Sequence, residues 1–292
     1  MITMPAPTSE ETVVTPDGVS LHIERFAPGG ALSGSLVVVH GFSAHIGNFR
    51  HVGHAAAKAG FATTLFDCRG HGRSQGRRGH VNRFADFVAD LDLVIAGARA
   101  AHPGSPLVLA GHSHGALICL EYLLGTAPRV APLTNPADVE LLAMAAPFLD
   151  VKLEIPAIKR ALAPTLGRLW PTLALGNGIK AEDITRSPEA QVGFFADPLV
   201  HHVATSRWYN EARAAQSRVM AAAGALRPPT LVLMAGQDRV VSNDAILQFA
   251  RTAGPIVELK VYDNLFHEMF LEPERDVVIH DLLGWMTNKL DD

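Results

Sequence analysis

Leu107-Val108-Leu109-Ala110-Gly111-His112-Ser113-His114-Gly115-Ala116 is a short apolar run that passes through Gly-x-Ser-x-Gly into a plausible helix ending near Leu124. The run has the length and composition of a strand covered on both faces, as in a parallel sheet. A sharp turn from strand to helix forces unusual backbone angles on its central serine, and flanking glycines remove side chains that would collide there. Such a turn lifts the hydroxyl above the sheet and points the first N–H groups of the helix at a reacting carbonyl. The plainer reading is a loop serine between two glycines. The strand before it and the helix after it favour Ser113 as a nucleophile.

Outward from this turn, similar apolar runs recur at Leu36–Val39, Thr63–Asp67, Leu141–Met144, Thr230–Met234 and Val257–Tyr262. Val13 to Ile23 reads as two extended runs around Asp17-Gly18, a hairpin signal. Phe84, Phe87, Val88, Leu91, Val94, Ile95 and Ala98 recur at three- and four-residue steps and form one apolar helix face. Residues 206–224, 243–253 and 273–290 also read as helices. This alternation predicts an α/β fold with a mostly parallel sheet and helices on both faces. It is interrupted once. Residues 149–205 hold no strand-like run, and Ile155, Ile158, Leu162, Leu166, Leu169 and Leu173 fall near helical spacing. Pro156, Pro164 and Pro171 should break any long helix there. An inserted helical cap of short pieces is expected, between core segments 1–148 and 206–292.

A serine hydroxyl needs a base within hydrogen-bond reach, and the base needs an orienting group. In folds with this nucleophile turn the chain order is serine, acid, histidine. Of the later histidines, His114 is the serine's neighbour, His201 and His202 close the cap segment, and His280 lies inside the last helix. His267 follows the final strand, where a loop can carry an imidazole over the sheet. Asp238, in Gly236-Gln237-Asp238 after the strand Thr230–Met234, can reach its far nitrogen and fix the tautomer. Asp244 suits a helix start, Asp263 a turn, and Asp67, which precedes the serine, a structural role. Two N–H donors must face the developing oxyanion. One is expected from His114 and the other from Phe42, in the turn His40-Gly41-Phe42-Ser43, with the Phe42 ring expected to line a pocket; the plainer reading of that turn is a tight loop needing Gly41 for its backbone alone.

Composition sets limits. The formal charge of −4 and the absence of a long Lys/Arg run argue against nucleic-acid binding. With 48% hydrophobic and 18% charged residues the chain can build a core without disulfides or metals. Cys68 and Cys119 therefore read as buried free thiols, in keeping with a reducing compartment. Met1–Thr12 shows no basic region followed by an apolar run, and no stretch is long enough to span a bilayer, so a cytoplasmic protein is expected. Fourteen histidines invite a metal hypothesis. No carboxylate- or cysteine-rich cluster accompanies them, and His267-Glu268 does not continue into His-Glu-x-x-His, so neither metal nor cofactor is expected. Gly70-His71-Gly72 lacks the third glycine of a dinucleotide fingerprint.

Together these pieces resemble the monoacylglycerol lipase and lysophospholipase group of the α/β-hydrolases, also called the serine aminopeptidase-like family. The resemblance rests on His40-Gly41-Phe42, Phe66-Asp67-Cys68-Arg69-Gly70-His71-Gly72-Arg73-Ser74, Gly111 to Gly115, Asp197-Pro198-Leu199-Val200, Gly236-Gln237-Asp238 and Phe266-His267-Glu268. It implies an α/β-hydrolase fold, a Ser113–Asp238–His267 triad, and an oxyanion hole from the backbone N–H groups of Phe42 and His114. It also implies a cap over an acyl tunnel, with Phe42, Ile155, Ile158 and Leu162 as candidate substrate contacts. The expected reaction is hydrolysis of a carboxylic ester through an acyl-Ser113 intermediate, on a small single-chain lipid, with transient membrane or micelle contact through the cap. A short-chain carboxylesterase, an acyltransferase with the same triad, and a non-enzymatic binding protein are the alternatives. The chain departs from the group at His114, where methionine is usual. It also lacks the Gly-Gly-Ser-Trp-Gly elbow of proline-releasing peptidases.

Overall fold

The computed structural model describes residues 5–128, 136–153 and 157–291. The chain opens with a hairpin, β1 (Ser9–Val14) and β2 (Ser20–Phe26), turned at Gly18, whose N–H donates to Thr15 O. There follow β3 (Gly34–Val39), α1 (Arg50–Lys58), β4 (Phe61–Phe66), α2 (Phe84–Ala101), β5 (Leu107–His112), α3 (His114–Leu124) and β6 (Leu141–Ala145). The next segment holds α4 (Ala157–Leu169), β7 (Ala174–Gly176), α5 (Ala181–Ile184), α6 (Pro188–Ala196) and β8 (Val203–Thr205). The chain then returns through α7 (Ser206–Ala222), β9 (Thr230–Ala235), α8 (Asn243–Ala253), β10 (Val257–Tyr262) and α9 (Arg275–Asp291).

One eight-stranded sheet runs β1-β2-β4-β3-β5-β6-β9-β10. Pairing is antiparallel up to β2–β4 and parallel from β4 to β10. This is the α/β-hydrolase arrangement. Every residue of β3, β4, β5, β6 and β9 is buried, which is why these strands read as unbroken apolar runs rather than alternating ones. The predicted face of α2 (Phe84, Phe87, Val88, Leu91, Val94, Ile95, Ala98) is wholly buried. Asp90 on the same helix is buried too, answered by Arg69 through two 2.6 Å hydrogen bonds. Both cysteines are buried and free; Cys68 lies just past β4 rather than inside it.

The sheet's register decides where the site lies. β3 sits between β4 and β5, so successive parallel strands leave it in opposite directions and a crevice opens at their carboxyl ends. Val39 pairs with Gly111, His112 with Ala145, and Ala145 with Leu233, which brings the loops after β3, β5, β6 and β9 to one rim.

The segment between β6 and α7 departs from expectation in two ways. It contains a two-stranded antiparallel ribbon, β7–β8, where no strand was predicted. Each strand has three residues, too few for any alternation to register. And α4 runs through Pro164 without breaking. A proline removes one helix hydrogen bond, but here Asn210 Nδ2 on α7 donates to Ala163 O at 2.7 Å, holding the helix at its weak turn. Gly167 allows the approach, since a Cβ there would lie 2.1 Å from Asn210 Nδ2. Packing on α7 outweighs the local penalty. No helix among the described residues is long and apolar enough to cross a membrane.

Candidate active site

Ser113 sits at φ 50°, ψ −113° between β5 and α3, a conformation L-residues avoid. Two close approaches make the turn possible. A Cβ on Gly111 would meet Ala116 N and Cα at 2.6 Å, and one on Gly115 would meet Val39 O at 2.1 Å. The Ser113 N–H donates to Ala145 O (2.9 Å), and Ser113 O accepts from Ala116 N (3.1 Å) and Phe148 N (3.1 Å), so the strained residue is pinned from three directions. Ser43 (φ 71°) and Ala146 (φ 44°) share the left-handed region, just past β3 and β6. Strain of this kind persists only where surroundings over-determine it, and it gathers at functional sites.

Asp238 and His267 meet across the rim. His267 Nδ1 and Asp238 Oδ2 are 2.8 Å apart, with the aspartate fully buried. Asp238 Oδ1 accepts the backbone N–H groups of Val240 (2.8 Å) and Val241 (2.9 Å), so each carboxylate oxygen has its own task. Burial pushes the Asp238 pKa up, but the imidazole and these N–H groups outweigh it and hold the carboxyl below its ordinary value. For His267 burial works downward, and the Asp238 carboxylate overrides it, leaving the pKa raised. The Asp238 bond directs the other ring nitrogen, Nε2, away from the carboxylate. Ser113 and His267 line the same cavity, and among the described residues no hydrogen bond joins the serine hydroxyl to the imidazole. Such contacts often close only when substrate binds.

The cavity holds about 580 Å³. Its floor includes Gly41, Phe42, Ser113, His114 and His267, and its roof Leu162, Leu166, Leu175, Ile179, Ile184 and Phe194. A mostly apolar chamber with a few convergent polar groups suits a small organic ligand with a long apolar part. Gly41 comes so close to the elbow that a Cβ would lie 2.7 Å from His112 Nδ1. The N–H groups of Phe42 and His114 donate to no acceptor among the described residues. Of the candidate substrate contacts, Phe42 and Leu162 line the cavity. Ile155 lies outside the described residues, as does the side chain of Ile158.

Several neighbours escaped the sequence reading. His112 Nε2 lies 3.1 Å from the carbonyl oxygen of His267 and donates to it, tethering the histidine loop to the nucleophile strand. Trp208 on α7 lies over Phe42 and bonds His114. Glu268 reaches the cavity wall, its Oε2 3.8 Å from His112 Nδ1. Only the amphipathic pattern of α7 hinted at Trp208; the other two sat beside known motif residues without a spacing to mark them. His71, His114 and His201 gather around Phe42, with His40 against His71, and burial keeps all four imidazole pKa values low, about 3 for His114 and about 4 for His201.

Comparison with known proteins agrees with this geometry. The family described as serine aminopeptidase, S33 matches residues 30–274. The chain is 30% identical to a monoacylglycerol lipase of Mycolicibacterium smegmatis over 284 residues, 97% of this chain and 98% of that one. The crystal structure of the Paleococcus ferrophilus monoacylglycerol lipase superposes with a TM-score of 0.82 at 25% identity, covering 92% of this chain and 99% of that chain. A soluble variant of the Saccharomyces cerevisiae monoglyceride lipase, solved with a substrate analogue, shares the fold with a TM-score of 0.82 at 19% identity, over 98% and 99% of the two chains. A strained serine at a Gly-x-Ser-x-Gly turn, an imidazole lining the same chamber with a buried carboxylate behind it, and a match across most of the sequence place this chain in the serine aminopeptidase S33 family, within the monoacylglycerol lipase and lysophospholipase group of α/β-hydrolases.

Proposed function

We propose that this protein hydrolyses the ester bond of single-chain lipids such as monoacylglycerols and lysophospholipids, with Ser113, His267 and Asp238 as its triad. It is a serine ester hydrolase of the monoacylglycerol lipase type. The observation that carries the reading is His267, held at 2.8 Å by the buried Asp238, lining one apolar chamber together with Ser113. His267 Nε2 takes the Ser113 proton as Oγ attacks the ester carbon. The N–H groups of Phe42 and His114 receive the charge that develops on the carbonyl oxygen. The proton then passes from His267 to the departing alcohol, leaving acyl-Ser113. Water, deprotonated by the same imidazole, releases the fatty acid.

The chain is read as two core segments, 1–148 and 206–292, around a cap at 149–205, acting in the cytoplasm. Leu169 and Trp170, at the end of α4, are 77% and 62% exposed. They give the cap an exposed apolar tip suited to micelle or membrane surfaces. Incubation with a fluorophosphonate should label Ser113 and leave Ser113→Ala unlabelled. A nitrophenyl-ester series should favour medium or long acyl chains. No labelling of the wild type would overturn the hydrolase reading, and a preference for acetyl would overturn its lipid part.

A further inference from the structure

The reaction as described uses the backbone of His114 but not its side chain, and it gives Trp208 no task. His114 is 1% exposed and packs edge-on against Phe87, ring centroids 4.9 Å apart. Its Nε2 receives the indole N–H of Trp208 at 3.3 Å. An indole nitrogen can only donate, so this imidazole is neutral and carries its proton on Nδ1. The chain of contacts goes on, because Trp208 lies nearly flat on Phe42, with ring centroids 3.7 Å apart and planes 21° from parallel.

The turn that carries Phe42 needs such support. Gly41 has no side chain to anchor it, and Ser43 is held at φ 71°. Ser43 is fixed by Asn177 Nδ2 on its Oγ (2.8 Å) and by the His201 N–H on its carbonyl (3.3 Å). Phe42 is fixed through its ring: Trp208 lies on one face and His201 stands edge-on at 4.9 Å.

We propose that the His114–Trp208 hydrogen bond is a positioning device for the oxyanion hole. It sets the indole on which the Phe42 ring rests and so aligns the Phe42 N–H with the N–H of His114. The inference rests on the assignment of those two groups as oxyanion donors. One side chain, beside the nucleophile, thereby governs both halves of the hole, with α7 as the strut between them. Loosening a donor costs less than deleting it, which typically costs 10²–10³ in rate.

Trp208→Phe keeps a ring for Phe42 but removes the N–H; His114→Leu removes the acceptor. With active sites counted by fluorophosphonate titration, each should lower kcat for nitrophenyl butyrate by roughly 5- to 30-fold, within the bound set by loss of a donor, and leave KM within about twofold. Affinity for a trifluoromethyl ketone, which forms an oxyanion on Ser113, should fall in parallel. The double variant should be no slower than the slower single, because both remove one interaction. His114→Gln, whose amide oxygen can accept the indole proton, should recover most of the rate lost in His114→Leu. Unchanged kcat and ketone affinity in normally titrating singles, multiplicative losses in the double, or a change confined to KM would overturn the inference while leaving the hydrolase reading intact. Wild-type protein that titrates no active site would sink both.

Discussion

Replacing Asp238 by asparagine tests the centre of the mechanism with almost no change of shape. Asp238 Oδ1 accepts two backbone N–H groups, from Val240 and Val241, and Oδ2 faces His267 Nδ1 at 2.8 Å. In the variant the amide oxygen must stay with the two N–H groups, since turning it would bring NH₂ against two donors. The NH₂ is then forced onto His267 Nδ1, which can only answer as an acceptor. The imidazole proton moves to Nε2, the nitrogen that should take the proton of Ser113, and the base is lost. An equivalent wrong-tautomer substitution in another triad enzyme lowers kcat by about 10⁴, or about 5.4 kcal/mol at 1.36 kcal/mol per tenfold. Initial rates on nitrophenyl butyrate, normalised to folded protein by near-UV circular dichroism, give the measurement. A loss of less than about tenfold would refute the assigned tautomer and with it Asp238 as the orienting group.

With His267 as the proposed base, activity should require its neutral form, whose pKa Asp238 raises, so kcat/KM should be full above that pKa and decline with unit slope as pH falls through it, with the inflection above about 6.5. A pH–rate profile checks this, and a flat profile between about pH 5 and 8 would contradict it. The buried imidazoles of His114 and His201, at about 3 and about 4, should add no second inflection in that range. His112→Leu removes the donor to the His267 carbonyl and should reduce kcat by roughly tenfold, the equivalent of about one hydrogen bond, with little change in KM under steady-state assay. Gly115→Ala would drive a methyl to 2.1 Å from Val39 O and 2.7 Å from His40 O, both backbone, and should destabilise by about 3 kcal/mol in urea unfolding. Gly193→Ala on α6 meets nothing within 4 Å and should instead gain about 1 kcal/mol from helix propensity; a loss there would contradict the packing described.

Much of the architecture was legible along the chain because its causes are local. Strands buried on both faces must be apolar throughout, and β3, β5, β6 and β9 read that way. The elbow announced itself because a turn this tight admits only glycine at Gly111 and Gly115, where added carbons would strike backbone. Chain order then narrowed the acid and the base to Asp238 and His267, which the fold brings to 2.8 Å. Where local rules were applied to residues 149–205 they failed twice. Pro164 does not end α4, and three-residue strands pair as β7–β8, because contacts with α7 and between the strands themselves outweigh weak intrinsic preferences.

By itself, then, the order of residues determined the sheet, the turn and the three candidates proposed as the triad, since each follows from steric and hydrophobic demands felt within a few neighbours. Only the tertiary structure decided how those groups are held. His112 reaches the His267 carbonyl across 155 positions, and the Trp208 indole reaches His114 across 94. Such contacts depend on how helices and loops settle over the rim of the sheet, and no periodicity encodes a hydrogen bond between side chains so far apart.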